Sequence, residues 1–188
     1  LYQNFSMITI LSPTKIQNFN KQNITEKFSL PLFMNEAEQI VEIIRQLKPT
    51  ELSKLLSINA SLTQMNIDRY FNWHLPFTPE NAKQAVLVYD GEAFRGLNAK
   101  EFTDKDFEYS QTHLRILSGL YGILRPLDLI QPYRIEVSTK LPNPSGKDLY
   151  AFWKDKVTKS IINDLKNSGK PEIILNLASS EYFKTLDL

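Results

Sequence analysis

The chain has 188 residues, 42% of them hydrophobic and 11% aromatic, with a formal net charge of +1 and no cysteine. That is enough chain and apolar content for one domain with a real core. It excludes disulfides, zinc ribbons, thiol nucleophiles and thiol redox sensing. A reducing cytoplasm is the expected setting. No apolar run approaches the roughly 20 residues of a membrane-spanning helix, and no basic region followed by an apolar stretch suggests a secretory leader. With only His74 and His113 as imidazoles, a His-rich metal site is not expected and no cofactor is predicted, although a carboxylate site stays open.

Met7 reads as the native start, with Leu1 to Ser6 as an expression remnant. Met7–Leu11 (MITIL) is a β-branched apolar run stopped by Ser12-Pro13, which predicts a buried strand. Ile16 to Ser29 is polar and reads as a surface loop. Phe33, Ala37, Ile40, Val41, Ile44 and Leu47 recur at helical spacing and Pro49 stops that helix. Thr50 and Ser61 are placed to cap the next two helices. Thr78-Pro79-Glu80 reads as an N-cap with proline at the first helical position. Ala85–Tyr89 (AVLVY) predicts a second strand, turned at Asp90-Gly91.

Thr103, with Asp106 three residues on, predicts a capped helix running to about Leu117. Ser118 to Pro132 reads as short turns and helical pieces, and Arg134–Ser138 (RIEVS) as an alternating strand. Ser145-Gly146-Lys147-Asp148 opens a long helix to about Asn167, ended by Gly169, and Glu172–Leu177 (EIILNL) predicts another buried strand. The order of elements predicts an α+β single domain over residues 7–188, with a central mixed sheet surrounded by helices.

Three segments carry candidate chemistry. Ser12-Pro13-Thr14-Lys15 lies where the first strand ends, where ligands of open α/β sheets gather. It can be a structural turn, a serine nucleophile with a basic partner, or a polar position with Lys15 facing an anion. His113 to Pro132 (HLRILSGLYGILRPLDLIQP) holds Gly119 and Gly122, which let backbone approach a ligand, and Arg115 and Arg125, whose guanidinium forks suit phosphate oxygens. The same segment also fits tight helix packing with two C-cap glycines. Asn176 to Lys184 (NLASSEYFK) sets Asn, Ser, Glu and Lys at another strand end, or starts a helix capped by Ser179 or Ser180. From His113 to Lys147 five basic residues (Arg115, Arg125, Arg134, Lys140, Lys147) stand against Asp128 and Glu136, as a binding face or simply a solvated one.

Met7–Lys15, Phe77–Ala85 (FTPENAKQA), Leu117–Glu136 (LSGLYGILRPLDLIQPYRIE), Gly146–Trp153 (GKDLYAFW) and Asn176–Lys184 together resemble the YaaA family, the bacterial peroxide-stress proteins. The resemblance implies a cytoplasmic protein that binds double-stranded DNA and helps limit iron-dependent peroxide damage, in an α/β fold with a helix-hairpin-helix element. It also makes Ser12, Lys15, Arg115, Ser118, Gly119, Gly122, Arg125, Arg134, Asn176, Ser179 and Lys184 the expected phosphate-binding positions. No catalytic residue, metal or membrane partner is expected. The alternative is an enzyme acting on a phosphorylated or nucleotide substrate, with Ser12, Lys15, Arg125, Arg134 and Asn176 at its site. Two departures stand out. Family members continue past the final motif with a basic segment, so an end at Leu188 reads as early. The glycines here are spaced Gly-x-x-Gly, not the Gly-apolar-Gly of a standard helix-hairpin-helix.

Overall fold

A computed structural model describes residues 7–168 and 172–188. A four-stranded mixed sheet lies at its centre. β1 (Met7–Leu11) pairs in parallel with β3 (Leu114–Ser118) on one side and β6 (Ile173–Asn176) on the other, and β4 (Gly122–Leu124) adds an antiparallel edge to β3. A separate two-stranded ribbon joins β2 (Lys83–Gln84) to β5 (Leu129–Ile130). This is the expected α+β architecture with a central mixed sheet. Among the described residues, no helix is long and apolar enough to cross a membrane.

The helices form where the apolar spacing puts one face inward. α1 (Met34–Arg45) buries Ala37, Ile40, Val41 and Ile44, and α3 (Ala60–Asn72) packs against it and against α2 (Pro49–Leu56). The caps differ by a residue or two from those expected. Pro49 does not end α1 but opens α2, where the Glu51 carboxylate accepts the Lys48 N–H at 2.7 Å. Asn59, and not Ser61, caps α3 by accepting the Leu62 N–H at 2.9 Å. The Thr103–Asp106 capping box is as read, with Asp106 accepting the Thr103 N–H at 2.8 Å at the start of α6 (Asp104–His113). The expected stop of the last long helix, at Gly169, lies outside the described residues. That helix, α7 (Leu149–Ser168), begins with Asp148 accepting the Ala151 N–H, and it lays Trp153, Val157, Ile161 and Leu165 on its buried stripe.

Several readings are corrected by long-range contacts. Ala85–Val88 is one helical turn, α4, rather than a strand. All of its side chains are buried, so it carries no alternation, and its first N–H groups bond to the carbonyls of Asp128 and Pro126. Thr78-Pro79-Glu80 makes a turn, closed by the Asn81 and Ala82 N–H groups on the Thr78 carbonyl, and no helix follows until α4. α6 stops at His113, because Leu114–Ser118 leaves it to pair with β1. Residues 117–136 contain no helix, so the helix-hairpin-helix implied by the resemblance is not built there; β3, a tight turn and β4 take its place. Arg134 to Ser138 keeps the alternation of a strand, with Ile135 and Val137 buried, yet joins no ladder. β6 is a strand as expected but not a buried one: it is the sheet's edge, and Leu175 and Leu177 remain 40% and 58% exposed.

The two glycines of the hairpin are held by packing. A Cβ on Gly119 would stand 2.4 Å from the Ile135 carbonyl oxygen. Gly122 has φ +70°, and a Cβ there would enter the Trp153 ring at 2.6 Å. The Trp153 indole N–H also donates to the Gly119 carbonyl at 2.9 Å. Gly122→Ala should therefore lose about 2–4 kcal/mol of stability, from left-handed backbone and overpacking together. Gly96→Ala, in α5 (Glu92–Leu97) with nothing within 4 Å of its Cβ position, should gain a few tenths to about 1 kcal/mol. Urea denaturation of both variants checks the pair; equal stabilities would contradict the packing account.

Candidate anion-binding cleft

At the carboxyl end of β1 the chain enters Ser12 to Lys15, and β6 leads to the short helix α8 (Ser180–Phe183). These two strand exits are tied together. The Ser12 hydroxyl accepts the Ser179 N–H at 2.9 Å and donates to the Ser179 hydroxyl at 3.2 Å, and Ser179 in turn caps α8 by accepting the Tyr182 N–H. Asn176 closes the same corner by accepting the Ala178 N–H at 3.0 Å. Ser12, Asn176 and Ser179 thus converge, and their polar groups hold the loop to itself. Lys184 is exposed at the end of α8.

Beside this corner opens a cleft of about 460 Å3, lined by Lys15, Lys54, Arg134 and Lys140 with Glu136, Ser138 and Ser57. Its cations come from four separate places: the β1 exit, α2, and two points of the extended segment after β5. Lys15 meets the Glu136 carboxylate at 2.5 Å, and both groups are solvent-accessible. Ser138 bonds to Glu181, whose carbonyl accepts the Tyr150 hydroxyl at 2.8 Å. The burial alternation of residues 133–137 aims Arg134 and Glu136 outward while Tyr133, Ile135 and Val137 enter the core. The Tyr70 hydroxyl fixes that segment by donating to the Arg134 carbonyl at 2.7 Å. Arg69 adds to the local positive field: burial and, in smaller part, the nearby Arg134 charge lower its pKa.

A smaller cavity of about 90 Å3 adjoins the cleft between Lys15 and Arg134 and reaches Tyr133 and Tyr182. Burial pushes the Tyr133 phenol up to about 12, against hydrogen bonds to Ser118 and Tyr89 that pull it down. Burial likewise raises Tyr182. Both hydroxyls stay protonated near neutral pH and act as hydrogen-bonding groups, not as bases.

The other expected positions lie elsewhere. Ser118 is buried, accepting the Leu120 and Tyr121 N–H groups in the hairpin turn. Gly119 and Gly122 face Ile135 and Trp153, so their backbone is closed off by the protein's own atoms. Arg115 is buried and bonds Asp164 at 2.7 Å and the carbonyls of Gln111 and Leu114. Arg125 bonds the buried Asp128 and the Leu30 carbonyl. Both arginines line a second cavity, against α7.

Residues 7–188 match the family model described as Peroxide stress protein YaaA. The chain belongs to the YaaA family. The match runs through every element that frames the cleft, so Lys15, Lys54, Arg134 and Lys140 all fall within the matched residues. Lys54 was invisible to motif reading because it sits on an ordinary amphipathic helix; Lys140 showed only as one charge in a basic run. Within this YaaA chain the Ser12 hydroxyl has both bonding roles filled by Ser179. Ser12→Ala should therefore leave ester hydrolysis at background and cost about 1 kcal/mol of stability. Activity assays with model esters and thermal melts check this; an acyl adduct trapped on Ser12 would contradict it.

Proposed function

We propose that this protein acts in the peroxide stress response as a DNA-binding protein, gripping duplex phosphates at the cleft and so helping to limit iron-dependent damage. The observation that carries the reading is the convergence of Lys15, Lys54, Arg134 and Lys140 around one cleft, where Glu136 is the only lining carboxylate among the described residues. Cations on a rim suit a polyanion, because each neutralised phosphate releases counterions to the bulk. The arginine fork can hold a phosphate through two donors, while lysines act as point charges. Phosphate contacts fix register without reading base edges, so the grip is one of position rather than sequence. Glu136 opposes the ligand and competes for Lys15.

A phosphorylated or nucleotide substrate would use the same cations. The filled bonds of Ser12 and the protonated phenols of Tyr133 and Tyr182 favour binding over turnover, since none supplies an activated nucleophile or base. A cytoplasmic setting, where duplex DNA is reached, accords with this reading.

Arg134→Ala and Lys15→Ala should each weaken duplex binding about equally for unrelated sequences and lower the salt slope by about one. Glu136→Gln should act in the opposite direction and tighten binding, because it frees Lys15 and removes a repelling charge. Fluorescence anisotropy across a salt series measures all three. Unchanged affinity in the two cation variants, with the fold intact by circular dichroism, would overturn the assignment.

A further inference from the structure

The second cavity lies between the loop ahead of α1, the β3–β4 hairpin and α7, and shares no lining residue with the basic cleft. Its volume is about 500 Å3, within the range of small-molecule sites, roughly 300–1,000 Å3. One wall is apolar and made by Leu32, Phe33, Ile123 and Leu124. Leu32 is 63% exposed there, a large apolar side chain that the fold leaves uncovered.

The rest of the lining is polar and largely cationic. Lys156, Lys159, Ser160 and Asn163 recur at three- and four-residue spacing along α7 and so share one face. Lys156 bonds the Phe152 carbonyl and lies over the Phe152 ring at 4.5 Å, and neither it nor Lys159 has a carboxylate partner among the described residues. Arg115 reaches the cavity from the core and is only 6% exposed. Its Nε and Nη1 are bonded to Asp164, Gln111 and Leu114, while Nη2 makes no hydrogen bond among the described residues. The lining carboxylates are both engaged, Asp164 by Arg115 and Asp128 by Arg125 and Ser29. Four cations against two carboxylates leave a surplus of positive charge in a cavity that also has apolar lining.

We propose that this cavity binds a small amphipathic anion, with an apolar chain or ring against Leu32, Phe33 and Leu124 and a carboxylate or sulfonate against Arg115 Nη2 and the Lys159 ammonium. A buried guanidinium with a donor to spare favours an anionic acceptor. The uncovered leucine favours an apolar body, since covering it removes hydrocarbon from water. A nucleic-acid backbone satisfies only the first of these, because its charge would lie against hydrocarbon. The site is therefore distinct from the proposed DNA cleft and does not depend on it.

The test uses the full chain and two probes, the aromatic sulfonate 1-anilinonaphthalene-8-sulfonate, followed by its fluorescence, and laurate as competitor. The wild type should take up the sulfonate saturably and release it to laurate. Ser160→Trp, which fills the cavity from a half-exposed helix position, should abolish that uptake. The double variant Lys156→Glu/Lys159→Glu should weaken it by roughly tenfold or more. Lys15→Ala, in the other cleft, should leave it unchanged, and so should Leu175→Glu, on the exposed edge strand. Uptake that laurate does not displace, that survives both α7 changes in folded protein, or that is lost in Leu175→Glu would overturn the assignment.

Discussion

The contact between Trp153 and the β3–β4 hairpin holds the rest of this molecule in place. The indole donates its N–H to Gly119 and lays its ring where any side chain at Gly122 would stand. That pins α7 to the sheet and forces the hairpin turn to be bare of side chains. Because Gly119 has no Cβ, the extended segment after β5 can cross it at backbone contact through Ile135 and Glu136. The crossing, with the Tyr70 bond to the Arg134 carbonyl, settles which way residues 133–137 face, and hence that Arg134 and Glu136 look into the cleft. A packing constraint between a tryptophan and two glycines thus sets the position of a cation and a carboxylate on the opposite side of the segment.

Much of the fold was legible in the sequence because its signals are local. β1, the long α7 and the Thr103 cap each follow from periodicity or a capping box within a few residues. What escaped is non-local. Nothing within Ala85–Tyr89 tells a buried strand from a buried helical turn; the decision comes from carbonyls some forty residues away, at Pro126 and Asp128. The LSGLYG segment could be packed helices or a strand turn, and it is the parallel pairing with β1 that selects β3.

The candidate site was half legible for the same reason. Of the positions the strand ends and the basic run point to, Lys15 and Arg134 line the cleft, while Ser12 and Ser179 bond each other beside it and Asn176 closes its own turn. Arg115, Gly119, Gly122 and Arg125 carry the residue types of a phosphate site, but those types serve packing equally well: a glycine that can approach a ligand can also approach a tryptophan, and a guanidinium that suits phosphate also suits a buried carboxylate. Lys54 and Lys140 join the cleft only through tertiary structure.

The most direct test of the central claim, that the cleft at the carboxyl end of β1 is the anion-binding surface, is amide chemical-shift mapping of the protein titrated with a short DNA duplex at low salt. Shifts should concentrate at Lys15, Lys54, Arg134 and Lys140 and fade as salt is added, while Gly119 and Gly122 stay still. Shifts centred on residues 115–125 and the face of α7, or none at all, would contradict the claim.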